Sequence, residues 1–197
     1  RPDLKFRNLT EKLSDVFDKM PTIFPIPNDA PHEIPFMILS SQNNLTTCNI
    51  SRSRIDLITM DKMLIKNENK LNEFIDEVCK ARDIIQFGFV ATHFKSTDKA
   101  SEDIKQRFLK NNEEIKDLSI RYNKPTKINK EIYNYHFSIS DIKQQNINTN
   151  SIEVGLMIQR DINNISLNIK NEIFVSSKLK SILKNSQDIL YSSEINA

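Results

Sequence analysis

Glycine is nearly absent from this chain of 197 residues, which contains Gly88 and Gly155 and no others. Phosphate-binding loops, dinucleotide fingerprints and the Gly-x-Ser-x-Gly nucleophile elbow all need clustered glycines. Both glycines instead stand alone in segments with strand-like alternation. The sequence therefore excludes most nucleotide-binding and hydrolase motifs, and an isolated glycine in a strand indicates a bulge or close packing.

Cysteine and long apolar runs are scarce as well. Cys48 and Cys79 are far apart in sequence and lack the paired spacing of a zinc site. We therefore expect two reduced thiols, no metal and no other cofactor. No apolar run approaches the ~18 residues that span a bilayer, and the start does not resemble a signal peptide.

An excess of charge of one sign is also missing, because 28 basic and 26 acidic residues leave a net charge of +2. Such a chain has no overall field to attract nucleic acid or an anionic membrane, so we expect no membrane partner. Abundant Lys, Asn and Ile without Trp are typical of an AT-rich genome, and this composition with two cysteines predicts a cytoplasmic protein. In the alternative, a secreted chain whose signal was removed, the sequons would become glycosylation sites. They lie at Asn8, Asn44, Asn49 and Asn164.

Proline is concentrated in one segment. Five of the seven prolines lie in residues 21–35, here named the strap. Each proline fixes its own φ and pushes the preceding residue toward extended geometry, so the strap is predicted to be stiff and ordered. Apolar residues between the prolines predict that it packs against apolar surface. These residues are Ile23, Phe24, Ile26 and Ile34.

Apolar residues at helical spacing predict four helices. The predicted helices are one capped by Asn8 and ending near Lys19, one over 71–79, one over 98–110 that residues 113–120 extend or follow, and one from Ser177.

Alternating apolar residues predict the strands. They are 36–39 and 45–58, joined as a hairpin at 41–44 with a bulge near 51–53; 84–94; 131–142; and 152–158 with 165–169, joined by 160–164. Strict alternation of apolar and polar residues indicates strands with one solvent-exposed face, which favours antiparallel pairing. We predict an α+β fold, a mostly antiparallel sheet of about six strands packed with about four helices. Residues 1–197 are interpreted as a single domain, with the N-terminal helix and the strap at 1–35.

A candidate binding site lies in Arg52-Ser-Arg-Ile-Asp56. On one extended strand, Arg52, Arg54 and Asp56 would share a side. Two guanidinium groups could clamp a phosphate or an acidic partner, whereas the structural alternative is an exposed ladder of cross-strand ion pairs.

Catalytic residues are not predicted. His93 and His136 are expected on opposite faces of the sheet, and His32 lies in the strap. Asp141-Ile-Lys143 has the acid-x-Lys pattern of some metal-dependent nucleases, which would need Asp56 or Glu153 as a second ligand. The alternative interpretation is a solvated strand end. The loose cluster Lys124, Lys127 and Lys130 is interpreted as a solvated linker.

The strap motif Phe24-Pro-Ile-Pro-Asn-Asp-Ala-Pro-His-Glu-Ile-Pro35, with Asn49-Ile-Ser51 and Phe87-Gly-Phe-Val90, resembles a family of uncharacterised bacterial proteins found near mobile elements or prophages. The similarity covers about residues 20–95. It implies a cytoplasmic bacterial or phage-related α+β protein and carries over no catalytic residue.

These observations predict a non-enzymatic protein that presents a sheet face or edge to a protein partner, in regulation, phage defence or counter-defence. One alternative is a nucleic-acid-binding or metal-dependent nuclease domain that uses Arg52, Arg54, Asp141 and Lys143. Another is a small-molecule-binding domain with an aromatic pocket. The pocket would be formed by Phe87, Phe89, Tyr133 and Tyr135.

Overall fold

The computed structural model describes residues 5–109, 118–145, 150–164 and 172–192. Within these ranges the fold is α+β, and every strand pairing is antiparallel. Eight strands form two sheets of four, where about six strands in one sheet were predicted. The elements are α1 (Arg7–Lys12), β1 (Thr22–Ile23), β2 (Pro35–Ser40), β3 (Thr46–Ser51), β4 (Ile55–Thr59), α2 (Lys62–Lys66), α3 (Glu68–Ala81), β5 (Gly88–Ser96), α4 (Ala100–Phe108), β6 (Ser119–Ile128), β7 (Glu131–Gln145), β8 (Ile152–Asn163) and α5 (Ser176–Leu190).

The chain divides into two compact units. Unit 1 comprises Arg1–Ile84 and Ile173–Lys180, and it contains the first sheet, in the order β1-β2-β3-β4. Unit 2 comprises Ile85–Glu172 and Ser181–Ala197, and it contains the second sheet, in the order β5-β8-β7-β6. The interpretation of 1–197 as one folding domain stays a prediction.

The core of unit 1 lies between the first sheet and helices α1 and α3. Leu39 on β2 and Cys48 on β3 are register partners, and both are fully buried. Leu9 of α1 and Val78 of α3 belong to the same buried cluster. Burial raises the pKa of the Cys48 thiol to about 12, so this thiol stays protonated at neutral pH.

The first helix differs from its prediction at both ends. Asn8 lies inside α1, and Phe6 occupies the cap position without a side-chain hydrogen bond, so the capping box is wrong. The helix ends at Lys12, not near Lys19. The apolar period still buries Phe17 beyond the helix, but it fails at Met20, which is 91% exposed.

A buried carboxylate joins two helices of unit 1. The side chain of Glu77 on α3 is 2% exposed, and its Oε1 accepts hydrogen bonds from Lys12 Nζ and Lys80 Nζ, each at 2.7 Å. The hydrogen bond from Lys12, followed by that from Lys80, lowers the pKa of Glu77. A carboxylate whose folded-state pKa is lowered stabilises the fold above its unfolded-state pKa of about 4.3, and this contribution is lost as the pH falls further.

We therefore expect Glu77→Gln to reduce the free energy of unfolding at pH 7 by about 1–3 kcal/mol, since it removes a buried, doubly bonded charge. The difference from the unmodified chain should shrink below about pH 4. Urea unfolding at both pH values measures this. As a control, Glu11→Gln in the exposed Arg7–Glu11 pair should change stability by a few tenths of a kcal/mol at most. Equal effects of the two substitutions at pH 7 would contradict the assignment.

The second sheet has one helix-covered face, here named the inner face. Strand β7 pairs with β8 over 134–145 and with β6 over 131–140. The ring of Phe108 on α4 lies 6.3 Å from that of Phe137, and His93 Nε2 lies 3.0 Å from the Leu190 carbonyl oxygen of α5. The β7 side chains predicted to share a face are all buried on it, which confirms that alternation. They are Tyr133, Tyr135, Phe137 and Ile139.

Two predicted loops of unit 2 are parts of strands. Residues 160–163, predicted to be a turn, continue β8 and pair with both β5 and β7. Across the strands, Asn134 Nδ2 donates to Asn163 Oδ1 at 3.2 Å. The predicted partner strand 165–169 lies outside the described residues, as does 113–117. Ile120, Lys124 and Lys127, expected in a helix or linker, lie in β6.

The two glycines have different surroundings. A Cβ built on Gly155 would lie 2.4 Å from the Lys95 carbonyl oxygen and 2.7 Å from the Phe94 ring. A Cβ on Gly88 would meet its nearest atom, Asp161 Oδ1, at an ordinary 3.5 Å. The prediction of close packing is thus confirmed for Gly155, against the backbone and the Phe94 ring of β5.

Gly155→Ala should lower the free energy of unfolding by about 1–3 kcal/mol, because the backbone of β5 must move to admit the methyl group. Gly88→Ala is the matched control and should stay within about 0.5 kcal/mol of the unmodified chain. Chemical denaturation of the three proteins measures both effects. A destabilisation by Gly88→Ala as large as that by Gly155→Ala would contradict the packing described.

Candidate interaction surface

The candidate residues Arg52, Arg54 and Asp56 lie at a tight turn and not along one bulged strand. Ser51 N donates to the Arg54 carbonyl oxygen at 2.9 Å, and Arg54 N donates to Ser51 Oγ at 3.0 Å, so the chain reverses at Arg52 and Ser53. The predicted bulge is wrong. The apolar residues that share a face have even numbers on β3 and odd numbers on β4. This change arises because Cys48 pairs with Leu57 across an antiparallel hairpin.

Arg52 holds the strap. Its Nη1 donates to the Asn28 carbonyl oxygen at 2.9 Å, and its Nη2 donates to the carbonyl oxygens of Pro27 at 2.8 Å and Ile26 at 3.3 Å. The turn adds a fourth contact, in which Ser53 N donates to the His32 carbonyl oxygen at 3.1 Å. The proline-rich segment has few backbone donors of its own, so a guanidinium that satisfies its carbonyl groups is well matched to it.

The apolar packing predicted for the strap is mostly wrong. Ile23, Phe24 and Ile34 are exposed, and Ile26 alone among the four is packed against the unit 1 core. The strap is ordered by polar contacts instead. Besides the bonds to the turn, Phe24 N donates to the Phe36 carbonyl oxygen at 2.9 Å.

We expect Arg52→Ala to release the strap, since it leaves three backbone carbonyl groups without their donor. Limited digestion with a nonspecific protease should then cut between residues 24 and 34 at least several-fold faster than in the unmodified chain. Arg54→Ala is the matched control and should leave the cleavage rate nearly unchanged. Equal cleavage of the two variants would show that Arg52 does not hold the strap.

Arg54 and Asp56 form an ion pair on the outer face of the first sheet, the face turned away from α1 and α3. Arg54 Nε lies 2.8 Å from Asp56 Oδ2, and the two side chains are 63% and 34% exposed. Such a pair contributes little to stability. It neutralises the charges at this end of β4.

Strand β4 has an open edge, because it lies at the end of the first sheet and pairs with β3 alone among the described strands. Hydrogen-bonded pairs recur every second residue in an antiparallel ladder. The bonds Ser51 N to Arg54 O and Met60 N to Leu45 O set that alternation. The backbone groups of Ile55, Leu57 and Thr59 consequently point away from β3, along the open edge.

Exposed apolar side chains follow the same edge. Ile58, Met60 and Met63 are 58%, 70% and 78% exposed within six residues of sequence. Single exposed apolar residues are ordinary, whereas a group of them beside an open strand edge forms a surface on which another strand could pair. We name Ile55–Thr59 with Met60 and Met63 the β4 edge. The sequence signal for the β4 edge is that alternation places two apolar residues, Ile58 and Met60, on the solvent-exposed face of the strand.

The other sheet edges of the described chain differ. Strand β1 is two residues long. Strand β6 carries Pro125 with exposed Arg121 and Lys127, side chains that discourage strand addition. In β5, Val90 is the single large apolar side chain that is exposed. The β4 edge is therefore the least protected of the four.

The other candidate residues do not assemble a catalytic set in the described parts of the chain. Asp141 accepts a hydrogen bond from Ser101 Oγ on the inner face, whereas Glu153 lies on the opposite face of β8. Arg54 pairs with Asp56 in unit 1, and Lys143 belongs to unit 2. Throughout the described ranges, no three His, Cys, Asp or Glu side chains group as metal ligands would.

Histidines and aromatic residues follow the predicted faces. His93 lies on the inner face and His136 on the opposite one, where His136 Nδ1 is 2.7 Å from Asn123 Oδ1. Three of the four predicted pocket residues pack on one another, since the Phe87 ring lies 5.1 Å from that of Phe89 and 5.8 Å from that of Tyr133.

Comparisons of the chain with protein-family models, with curated proteins and with solved structures found no match. Among the described residues, no helix has the length and apolar character needed to cross a membrane.

Proposed function

We propose that this chain is a non-enzymatic interaction protein that binds an extended segment of a protein partner along the β4 edge. One observation carries the proposal: outward-facing backbone groups at Ile55, Leu57 and Thr59 lie beside the exposed side chains of Ile58 and Met60. Backbone pairing supplies affinity in strand addition, and pockets or patches for alternate side chains supply specificity.

The surface defines the chemistry of the partner segment. Three outward-facing residues accommodate a partner strand of about five residues. Alternate partner side chains on the outer face would contact Ile58 and Met60, so they should be apolar. Because Arg54 and Asp56 neutralise each other, the surface does not select a strongly charged segment.

Contacts within the chain favour a protein over a nucleic-acid partner. Arg52 donates to three strap carbonyl groups, and Arg54 pairs with Asp56, so both guanidinium groups already serve acceptors of this chain. Phosphate binding would have to displace those bonds. A cytoplasmic role in regulation, phage defence or counter-defence, consistent with the resemblance to prophage-associated proteins, is part of this proposal.

The proposal is tested by placing a charged side chain on the β4 edge and measuring peptide binding. Peptides selected on the unmodified chain from a random library displayed on phage should bind Ile58→Lys at least about tenfold more weakly, since a lysine on an edge strand discourages strand addition. Ile132→Lys is the matched control: Ile132 is 60% exposed, close to the value for Ile58, but lies on β7. It should bind like the unmodified chain.

Amide exchange separates strand addition from other modes of contact. A selected peptide should slow hydrogen exchange at the amides of Leu57 and Thr59, which point away from β3 and pair with no other described strand, and should change Asp56 and Ile58 little. Equal loss of binding in both lysine variants, or protection confined to residues outside 54–63, would overturn the proposal.

A further inference from the structure

The β4 edge has the same chemistry as the segment that it is proposed to bind. That segment is extended, about five residues long, apolar at alternate positions and without strong net charge. Strand β4 is itself five residues long, Ile55–Thr59. It presents Ile58 and, just beyond its end, Met60 as exposed apolar side chains, while Arg54 and Asp56 neutralise each other. A second copy of this chain therefore offers a segment that fits the open edge.

The backbone of β4 allows two copies to pair about a two-fold axis. Leu57 and Thr59 direct their N–H and C=O groups away from β3, whereas those of Ile58 are directed toward it. With the axis at Ile58, Leu57 lies opposite the partner copy's Thr59, and these two residues exchange hydrogen bonds in both directions. The axis repeats this pair, so about four hydrogen bonds join the two strands. The ladder ends there, because Asp61 N donates to Thr59 Oγ1 of its own chain at 3.0 Å.

The same axis brings apolar side chains together on the outer face. Ile58 lies opposite its counterpart in a pair that is not hydrogen-bonded, and side chains across an antiparallel ladder are closest in such pairs. Met60 of each copy flanks the two isoleucines. Because Ile58 and Met60 are 58% and 70% exposed in the single chain, pairing removes apolar surface of both from water.

The charges near the edge favour this position of the axis. Asp56 lies opposite the partner copy's Met60, and its Oδ2 remains 2.8 Å from Arg54 Nε of its own chain. Like charges therefore do not face each other along the paired residues. An axis at Leu57 would instead place Ile58 opposite the partner copy's Asp56, so that an apolar side chain would cover a carboxylate.

We propose that the partner of the β4 edge is a second copy of this chain, paired antiparallel about a two-fold axis at Ile58. The two first sheets then form one continuous sheet, joined through their β4 strands. This inference rests on the proposed function, since it names the partner of the same edge. Two short strands bury less surface than the ~1,200–2,000 Å² of stable complexes, so the dimer is weak and dissociates on dilution.

Sedimentation equilibrium of the unmodified chain measures the self-association. Between roughly 1 µM and roughly 1 mM, the average mass should rise from 22.9 kDa toward twice that value. Over the same range, hydrogen exchange at the amides of Leu57 and Thr59 should become slower, because pairing occupies them.

Complementary charges at position 58 test where the axis lies. Ile58→Lys and Ile58→Asp each place two like charges opposite one another, so either variant alone should self-associate at least about tenfold more weakly. An equimolar mixture of the two should recover association, since opposite charges then meet on the axis. Both variants should keep the melting temperature of the unmodified chain within a few degrees, because Ile58 is exposed. Ile132→Lys is the matched control and should self-associate like the unmodified chain.

Three results would overturn the proposal. They are a mass of 22.9 kDa at every concentration, self-association of Ile58→Lys alone as strong as that of the unmodified chain, and a mixture that associates no more than its components. Peptide binding at roughly 1 µM, where the chain is monomeric, separates this inference from the proposed function. A monomer whose Leu57 and Thr59 amides are still protected by a selected peptide would overturn the self-pairing alone, whereas the absence of both effects would overturn strand addition as well.

Discussion

The antiparallel register of β7 with its two neighbours is the constraint on which unit 2 depends. Alternation along this strand assigns each side chain to one of two faces, and pairing on both sides extends that assignment to β6 and β8. Tyr135 and Phe137 are buried as a result, while His136 lies on the open face. A slip of one residue would exchange the two faces and would separate Arg160 from Phe137 and Tyr122.

In unit 1 the β3–β4 turn has a comparable role. The strap begins beside β2 through the short β1 and reaches the turn, where the Arg52 guanidinium binds its carbonyl groups. One end of the first sheet is thereby covered, while the long edge of β4 stays open among the described strands. The same hairpin thus contains both the contact that orders the strap and the surface proposed to bind a partner.

Several features of the fold could be predicted from the sequence, namely the α+β class, the hairpin at 41–44, the helix around 71–79 and the buried face of β7. All of these depend on a local period of 3.6 or 2 residues. The predictions were wrong where one local sequence pattern is compatible with two different structures. A change of apolar parity at 51–53 fits a bulge or a tight turn, and the polar residues 160–163 fit a loop or the middle of a strand. Neighbouring strands, which are distant in sequence, decided both cases.

The candidate sites show the same division. The sequence by itself determined the absence of glycine-rich phosphate loops, the lack of paired cysteines and which residues share a face, because composition and alternation are local properties. It also indicated Arg52, Arg54 and Asp56 as a group, but not that Arg52 would donate to the strap or that Arg54 would pair with Asp56. Only the tertiary structure decided which edge stays open. Strand order and cross-strand register join segments far apart in the chain, and no local pattern specifies such pairing.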